Sequence, residues 1–172
     1  MTWLRLPKDV AADARHDAVC KLLTTNTRPI WEGSELQVPT LPLNRALAEE
    51  CRRAVHLGFA VPGLEGIEEA LASEQKGLDA LLKKAPDAPQ NPRASRLLFM
   101  SNDGSKRFYR DCEALLVKYD KRLMACRLDV TGESFGSAIL GPPKLARALL
   151  FVDKKAVARA LLALVPQGTP RG

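Results

Sequence analysis

Apolar positions change their period several times along this chain, and each change predicts an element. Over residues 8–24, Val10, Ala14, Val19, Leu22 and Leu23 form the apolar side of a short amphipathic helix. Residues 26–42 carry Pro29, Gly33, Pro39 and Pro42, which break any helical period, so an extended arm is expected, anchored by Trp31. Helical spacing resumes at Leu43, Leu47, Cys51, Ala54 and Val55 and predicts a helix over residues 43–57. Residues 58–63, Gly-Phe-Ala-Val-Pro-Gly, suit a short strand or turn. Leu64, Ile67, Ala70 and Leu71 restart the helical period, which can run on through Leu78, Leu81 and Leu82 with Gly77 as a weak point. Residues 85–92 hold three prolines and read as a loop.

In the second half, compact apolar runs alternate with helical stripes. Residues 95–101 suit a buried strand, and the turn at 102–105 offers Asp103 or Ser105 as a helix cap. Phe108, Cys112, Leu115, Leu116 and Tyr119 stripe the next helix. Residues 123–128 read as a second buried strand. Thr131 caps a short helix with Phe135, Ala138 and Ile139 inward, and Gly141-Pro142-Pro143 ends it. A further strand follows at 146–152, and Asp153 caps a last helix bearing Val157, Ala160, Leu161 and Leu164. A loose tail is expected over 166–172, and no internal repeat is present. This alternation implies an α/β layer structure, with helices on both faces of a small, largely parallel sheet.

Length and composition fit that reading. The chain has 172 residues, 46% hydrophobic and 27% charged, which suits one packed domain. No apolar run approaches the roughly 18 residues of a membrane span. The net charge is +6, unevenly distributed: residues 1–92 hold 11 basic and 13 acidic side chains, residues 93–172 hold 15 and 7. A positive half on a near-neutral body favours an anionic partner such as nucleic acid.

The candidate chemistry is sparse. Cys20, Cys51, Cys112 and Cys126 form no C-x-x-C pair, and His16 and His56 are the two histidines, so neither a metal nor a cofactor is expected. Cys51 and Cys112 lie on apolar stripes, where a thiol acts as a small hydrophobe, and a reducing intracellular compartment is the simplest expectation. The first residues lack a secretory core, and Asp9, Asp13 and Asp17 are acids that an organellar transit peptide avoids. No phosphate loop, nucleophile elbow or dinucleotide fingerprint occurs. Asp103, Asp129 and Asp153 each follow a predicted strand and could meet at one sheet edge, though as caps they need no shared role. An enzyme is therefore not expected, nor a small-molecule substrate.

Four segments carry a resemblance. They are Arg-Ala-Val-His-Leu-Gly-Phe-Ala-Val-Pro-Gly-Leu-Glu-Gly-Ile-Glu-Glu-Ala-Leu at 53–71, Leu-Leu-Phe-Met-Ser-Asn-Asp at 97–103, Glu-Ser-Phe-Gly-Ser-Ala-Ile at 133–139 and Ala-Arg-Ala-Leu-Leu-Phe-Val-Asp at 146–153. In order and spacing, over about residues 43–165, they resemble the kink-turn-binding ribosomal protein superfamily. This is the pelota-like fold of the large-subunit seven-Ae and thirty-e ribosomal proteins and their snoRNP relatives. The resemblance implies a three-layer α-β-α sandwich around a small mixed four-stranded sheet, here with an N-terminal extension or docking arm over 1–42 and an insertion over 74–94. It also implies an RNA site at the start of the second helix of the domain, matched by Gly63, Leu64, Glu65 and Gly66. Of the family's Gly-Thr-Asn-Glu type motif only the glycine is kept, and Glu68 and Glu69 add further negative charge. The second family contact matches the loop at 140–145, with Pro142, Pro143 and Lys144.

Basic residues of the second half supply a broader surface: Arg93, Arg96, Lys106, Arg107, Arg110, Lys121, Arg122, Lys144, Arg147, Lys154 and Lys155. Cations of this kind hold a phosphate backbone through counterion release without reading sequence. The sequence thus leads to a non-catalytic, RNA-binding structural component of a large ribonucleoprotein, ribosomal or of ribosome assembly, in mitochondrion or cytoplasm. Structured RNA, such as ribosomal RNA, is the expected partner, with neighbouring proteins held through 1–42 and 74–94. A protein adaptor on the same fold and an RNA-recognition subunit of an RNA-processing complex are the alternatives.

Overall fold

A computed structural model describes residues 5–87 and 93–167. Six strands are present: β1 (Thr27–Pro29), β2 (Gln37–Leu41), β3 (Ala60–Pro62), β4 (Arg96–Met100), β5 (Leu123–Leu128) and β6 (Ala148–Phe151). The helices are α1 (Lys8–Ala11), α2 (His16–Thr25), α3 (Arg45–Leu57), α4 (Leu64–Lys84), α5 (Lys106–Lys118), α6 (Gly132–Leu140) and α7 (Lys154–Ala163). One mixed sheet has the order β1-β2-β5-β4-β6-β3. β2, β5 and β4 pair in parallel, while β1, β6 and β3 each run against the neighbour they pair with.

The expected four-stranded sheet is corrected to six strands. The two extra ones come from residues 26–42, read from sequence as an extended arm. Prolines suggested that reading, yet Pro29 and Pro39 are tolerated by the ladder. The bonds from Ile30 N–H to the Leu36 carbonyl and from Thr40 N–H to the Asn26 carbonyl set the hydrogen-bonded pairs of the β1–β2 hairpin. Pro29 and Pro39 fall in the alternate, non-hydrogen-bonded pairs, so the hairpin asks no N–H of them, and the pairing of β2 with β5 begins only at Thr40, beyond Pro39. β2 then joins the sheet through Thr40 and Leu41, opposite Arg127 and Leu128.

Alternation along the central strands divides the core. Leu97, Phe99, Met124, Cys126, Leu149 and Phe151 face one side, where α2, α3, α6 and α7 pack. Leu98, Met100, Leu123, Ala125 and Leu150 face the other, where α4 and α5 pack. Ser105, Thr131 and Asp153 cap α5, α6 and α7 through bonds accepted from the third residue on, and Asn44 caps α3 likewise.

Two helices depart from the expected pattern. The single helix over 8–24 is interrupted, because the Asp13 carboxylate takes the Arg15 N–H at 2.8 Å and restarts the chain as α2. The expected 74–94 insertion begins as an unbroken continuation of α4, which passes Gly77 and ends at Lys84. Glu74 fixes that helix to the sheet. The loop expected at 85–92 and the tail at 166–172 lie largely outside the described residues. No helix among the described residues is long and apolar enough to cross a membrane.

Candidate nucleic-acid interface

β2, β5, β4 and β3 run in one direction, and each leads into a helix, so α3, α6, α5 and α4 all begin at the same end of the sheet. β4 turns into α5 on one face and its parallel neighbour β5 into α6 on the other. A division of this kind opens a crevice at the carboxyl ends of the strands, the usual ligand side of an α/β sheet. Here the crevice is laced by polar bonds. Asn102 donates to the Asp129 carboxylate at 2.9 Å. Asp103 Oδ1 accepts from the Ser101 hydroxyl and the Gly132 N–H, both at 2.9 Å, with Arg147 Nε at 3.8 Å. Burial pushes the Asp103 carboxyl upward, but those hydrogen bonds and the Arg147 charge outweigh it and leave it below the usual carboxylate range.

Glycines let the 144–147 segment lie on α6. A Cβ on Gly136 would meet the Leu145 Cα at 2.5 Å and the Ala146 nitrogen at 2.6 Å, besides the Lys144 carbonyl. One on Gly132 would meet Arg147 Cγ at 2.8 Å. This brings Ala146 back to the start of α6, where its N–H bonds the Gly132 carbonyl at 2.9 Å, and sets β6 beside Gly63, whose N–H bonds the Ala148 carbonyl at 3.0 Å; Pro142, Pro143 and Lys144 are exposed in the turn that follows α6. Leu64, Glu65 and Gly66 form the first turn of α4 there.

The first turns of α5 carry Lys106, Arg107 and Arg110, all exposed. Lys106 Nζ stands 5.2 Å and the Arg110 guanidinium 4.9 Å from the Trp31 ring centroid. Arg127, the one charge in the apolar β5 run, lies 4.8 Å from the Tyr109 ring and donates to the Pro29 and Ile30 carbonyls. Tyr109 is itself fixed, its hydroxyl donating to the Ser101 carbonyl at 2.6 Å and accepting from Gly104 N–H at 3.1 Å. Between Trp31, Glu32, Lys106, Tyr109 and Arg127 is an open cavity of about 590 Å³. Sequence reading singled out Trp31 and Lys106 but not Tyr109 or Arg127. An arginine alone within a buried strand was the available signal for Arg127.

The other basic residues lie elsewhere. Arg96 and Arg122 enter the opposite end of the sheet and share Glu74, at 2.9 and 3.3 Å. Arg122 also donates to the Leu71 carbonyl and stacks 4.9 Å from the Tyr119 ring. Their side chains are only 18% and 12% exposed, so they bind α4 to the sheet rather than present charge. Lys121 is exposed beside them. Arg93, Lys154 and Lys155 gather at that same far end.

The three strand-terminal aspartates do not converge: Asp103 and Asp129 share the crevice, whereas Asp153 caps α7 at the opposite end because β6 runs antiparallel. Among the described residues no group of three His, Cys, Asp or Glu side chains is arranged to hold a metal. No protein-family model matches the chain, and no curated protein matches it in sequence.

Proposed function

We propose that this chain is a non-catalytic RNA-binding component of a ribonucleoprotein, and that it grips RNA at the start of α5. The observation that carries the reading is the cavity of about 590 Å³ lined by Trp31, Lys106, Tyr109 and Arg127, with the Arg110 guanidinium beside it on the Trp31 ring. Unpaired bases stack on aromatic rings and guanidinium planes, while the adjoining phosphates meet cations. Arg107, exposed on the first turn of α5, extends the positive surface. The resemblance to kink-turn-binding ribosomal proteins supports the same reading and favours a ribosomal or ribosome-assembly setting.

The test is a titration of labelled RNA bearing an unpaired bulge, beside a fully paired duplex, at two salt concentrations. The expected result is preference for the bulged RNA, with affinity falling steeply as salt rises. Lys106→Glu with Arg110→Glu lowers that affinity at least tenfold, and Trp31→Ala erodes the preference for the bulge. Absence of binding at low salt overturns the reading.

A protein adaptor on the same fold is the second reading. Leu78 and Leu81 favour it, being 40% and 55% exposed on the last turns of α4, as do Glu65, Glu68 and Glu69 at its start. A folded protein that binds no RNA but captures a partner through Leu78 and Leu81 would establish that alternative.

A further inference from the structure

A second concavity of about 320 Å³ lies at the far end of the sheet, remote from the start of α5. Three separate stretches of chain build it: residues 7–9, 93–95 and 154–155. The first two are tied together by hydrogen bonds. Ala94 N–H bonds the Arg5 carbonyl at 2.7 Å, and the Arg93 guanidinium donates to the Leu6 carbonyl at 2.7 Å. The lining brings Lys8, Arg93, Lys154 and Lys155 against a single lining carboxylate, Asp9. Asp153, next in chain to Lys154, is turned away into its helix cap and accepts from Ala156 N–H at 3.0 Å.

Several arginines elsewhere are neutralised within the protein. Arg15, Arg96, Arg122, Arg147 and Arg159 each meet a carboxylate. None of the described lysines has such a partner, Lys8, Lys154 and Lys155 included; what sets these three apart is that they line one hollow. Three lysines against one carboxylate give the hollow a positive field, which favours an anion there. The hollow is at the lower end of small-ligand sites, which run from about 300 Å³. A phosphomonoester carries a charge of about −1.5 to −2 at neutral pH, which matches the local excess better than the single charge of a diester.

We propose that the hollow formed by Lys8, Arg93, Lys154 and Lys155 binds the phosphate of a phosphomonoester. The group comes either from a small phosphorylated metabolite or from the 5′-terminal phosphate of a nucleic acid. This site stands independently of the RNA contact at α5.

The test uses the full chain, isotope-labelled for amide NMR and titrated with inorganic phosphate against sodium chloride of equal ionic strength. The expected result is a saturable shift confined to amides near residues 94–95 and 154–156. Lys154→Gln with Lys155→Gln, both exposed positions that leave the fold intact, weakens phosphate binding at least tenfold, while Lys106→Glu does not alter it. A response matched by chloride, or unchanged in the double variant, overturns the proposal. Glycerol phosphate and one oligonucleotide with a 5′-phosphate or a 5′-hydroxyl then separate the sources. Tighter binding of either phosphorylated probe supports the site and names its source. Equal binding of the 5′-hydroxyl oligonucleotide at the same amides overturns the phosphomonoester assignment.

Discussion

Asp13 accepts the Arg15 backbone N–H at 2.8 Å and two guanidinium bonds at 2.9 and 3.1 Å. The same guanidinium reaches the Leu162 carbonyl, so this one carboxylate organises the turn into α2 and its seat on α7. The side-chain bonds from Arg15, then its backbone N–H, hold the Asp13 carboxyl down at about 2, against an ordinary 3.8. A depressed carboxyl stabilises the fold above its ordinary value, and that contribution is lost as pH falls through the folded value. Wild type should therefore resist urea better than Asp13→Asn at about pH 6, and the gap should close as pH falls from 3.8 towards 2. A gap independent of pH would refute this. Thiols give a second residue-scale test. Burial pushes the thiols of Cys51, Cys112 and Cys126 up to about 12, whereas Cys20 is part-exposed on α2 beside His16. Iodoacetamide at neutral pH should modify Cys20 alone in the folded protein and all four cysteines after denaturation, as read by peptide mass spectrometry.

At the scale of elements, residues 26–41 decide whether the N-terminal part is an appendage or body. Ile30 and Val38 are fully buried against the α4–α5 side, and Leu41 is buried on the other. Deleting residues 1–41 should therefore abolish the cooperative unfolding transition and expose dye-binding apolar surface, because β5 loses its neighbour and both cores lose side chains. A truncated protein that still unfolds cooperatively would restore the docking arm. The elements that could be read from sequence were those whose signal is local. β4, β5 and β6 are short apolar runs, and Ser105, Thr131 and Asp153 announce the helices that follow. β1 and β2 could not be read that way. Whether Pro29 and Pro39 disrupt a strand depends on which pairs of the ladder carry hydrogen bonds, and only the paired partner fixes that. Much of the candidate site was hidden for the same reason. Trp31 lies 75 positions before Lys106, and their contact exists only once the β1–β2 hairpin is laid beside α5.

Across the whole molecule, one basic half becomes three groups with different work. Lys106, Arg107 and Arg110 lie exposed at the carboxyl ends of the strands. Lys154 and Lys155, with Arg93 and Lys8, surround the hollow at the other end. Arg96 and Arg122 are spent inside, on Glu74. Sequence gives these cations equal weight, but burial does not. Burial lowers the pKa of Arg122, against the pull of Glu74, a sign that its charge is held out of solvent for structural ends. Arg122→Gln should thus lower stability by about 1–3 kcal/mol, through lost charge-assisted bonds to Glu74 and the Leu71 carbonyl. It should leave the salt dependence of RNA binding unchanged. Lys106→Gln should do the reverse. Its stability change should stay within about 0.5–1 kcal/mol, the worth of an exposed cation on an aromatic ring. The slope of log affinity against log salt should fall by roughly 0.7–0.9, the share of one phosphate contact. Urea unfolding and RNA titration of both variants measure the four quantities. If Arg122→Gln lowered the slope as much as Lys106→Gln, the buried arginines would belong to the proposed RNA surface after all, and the division of labour drawn from their burial would fail.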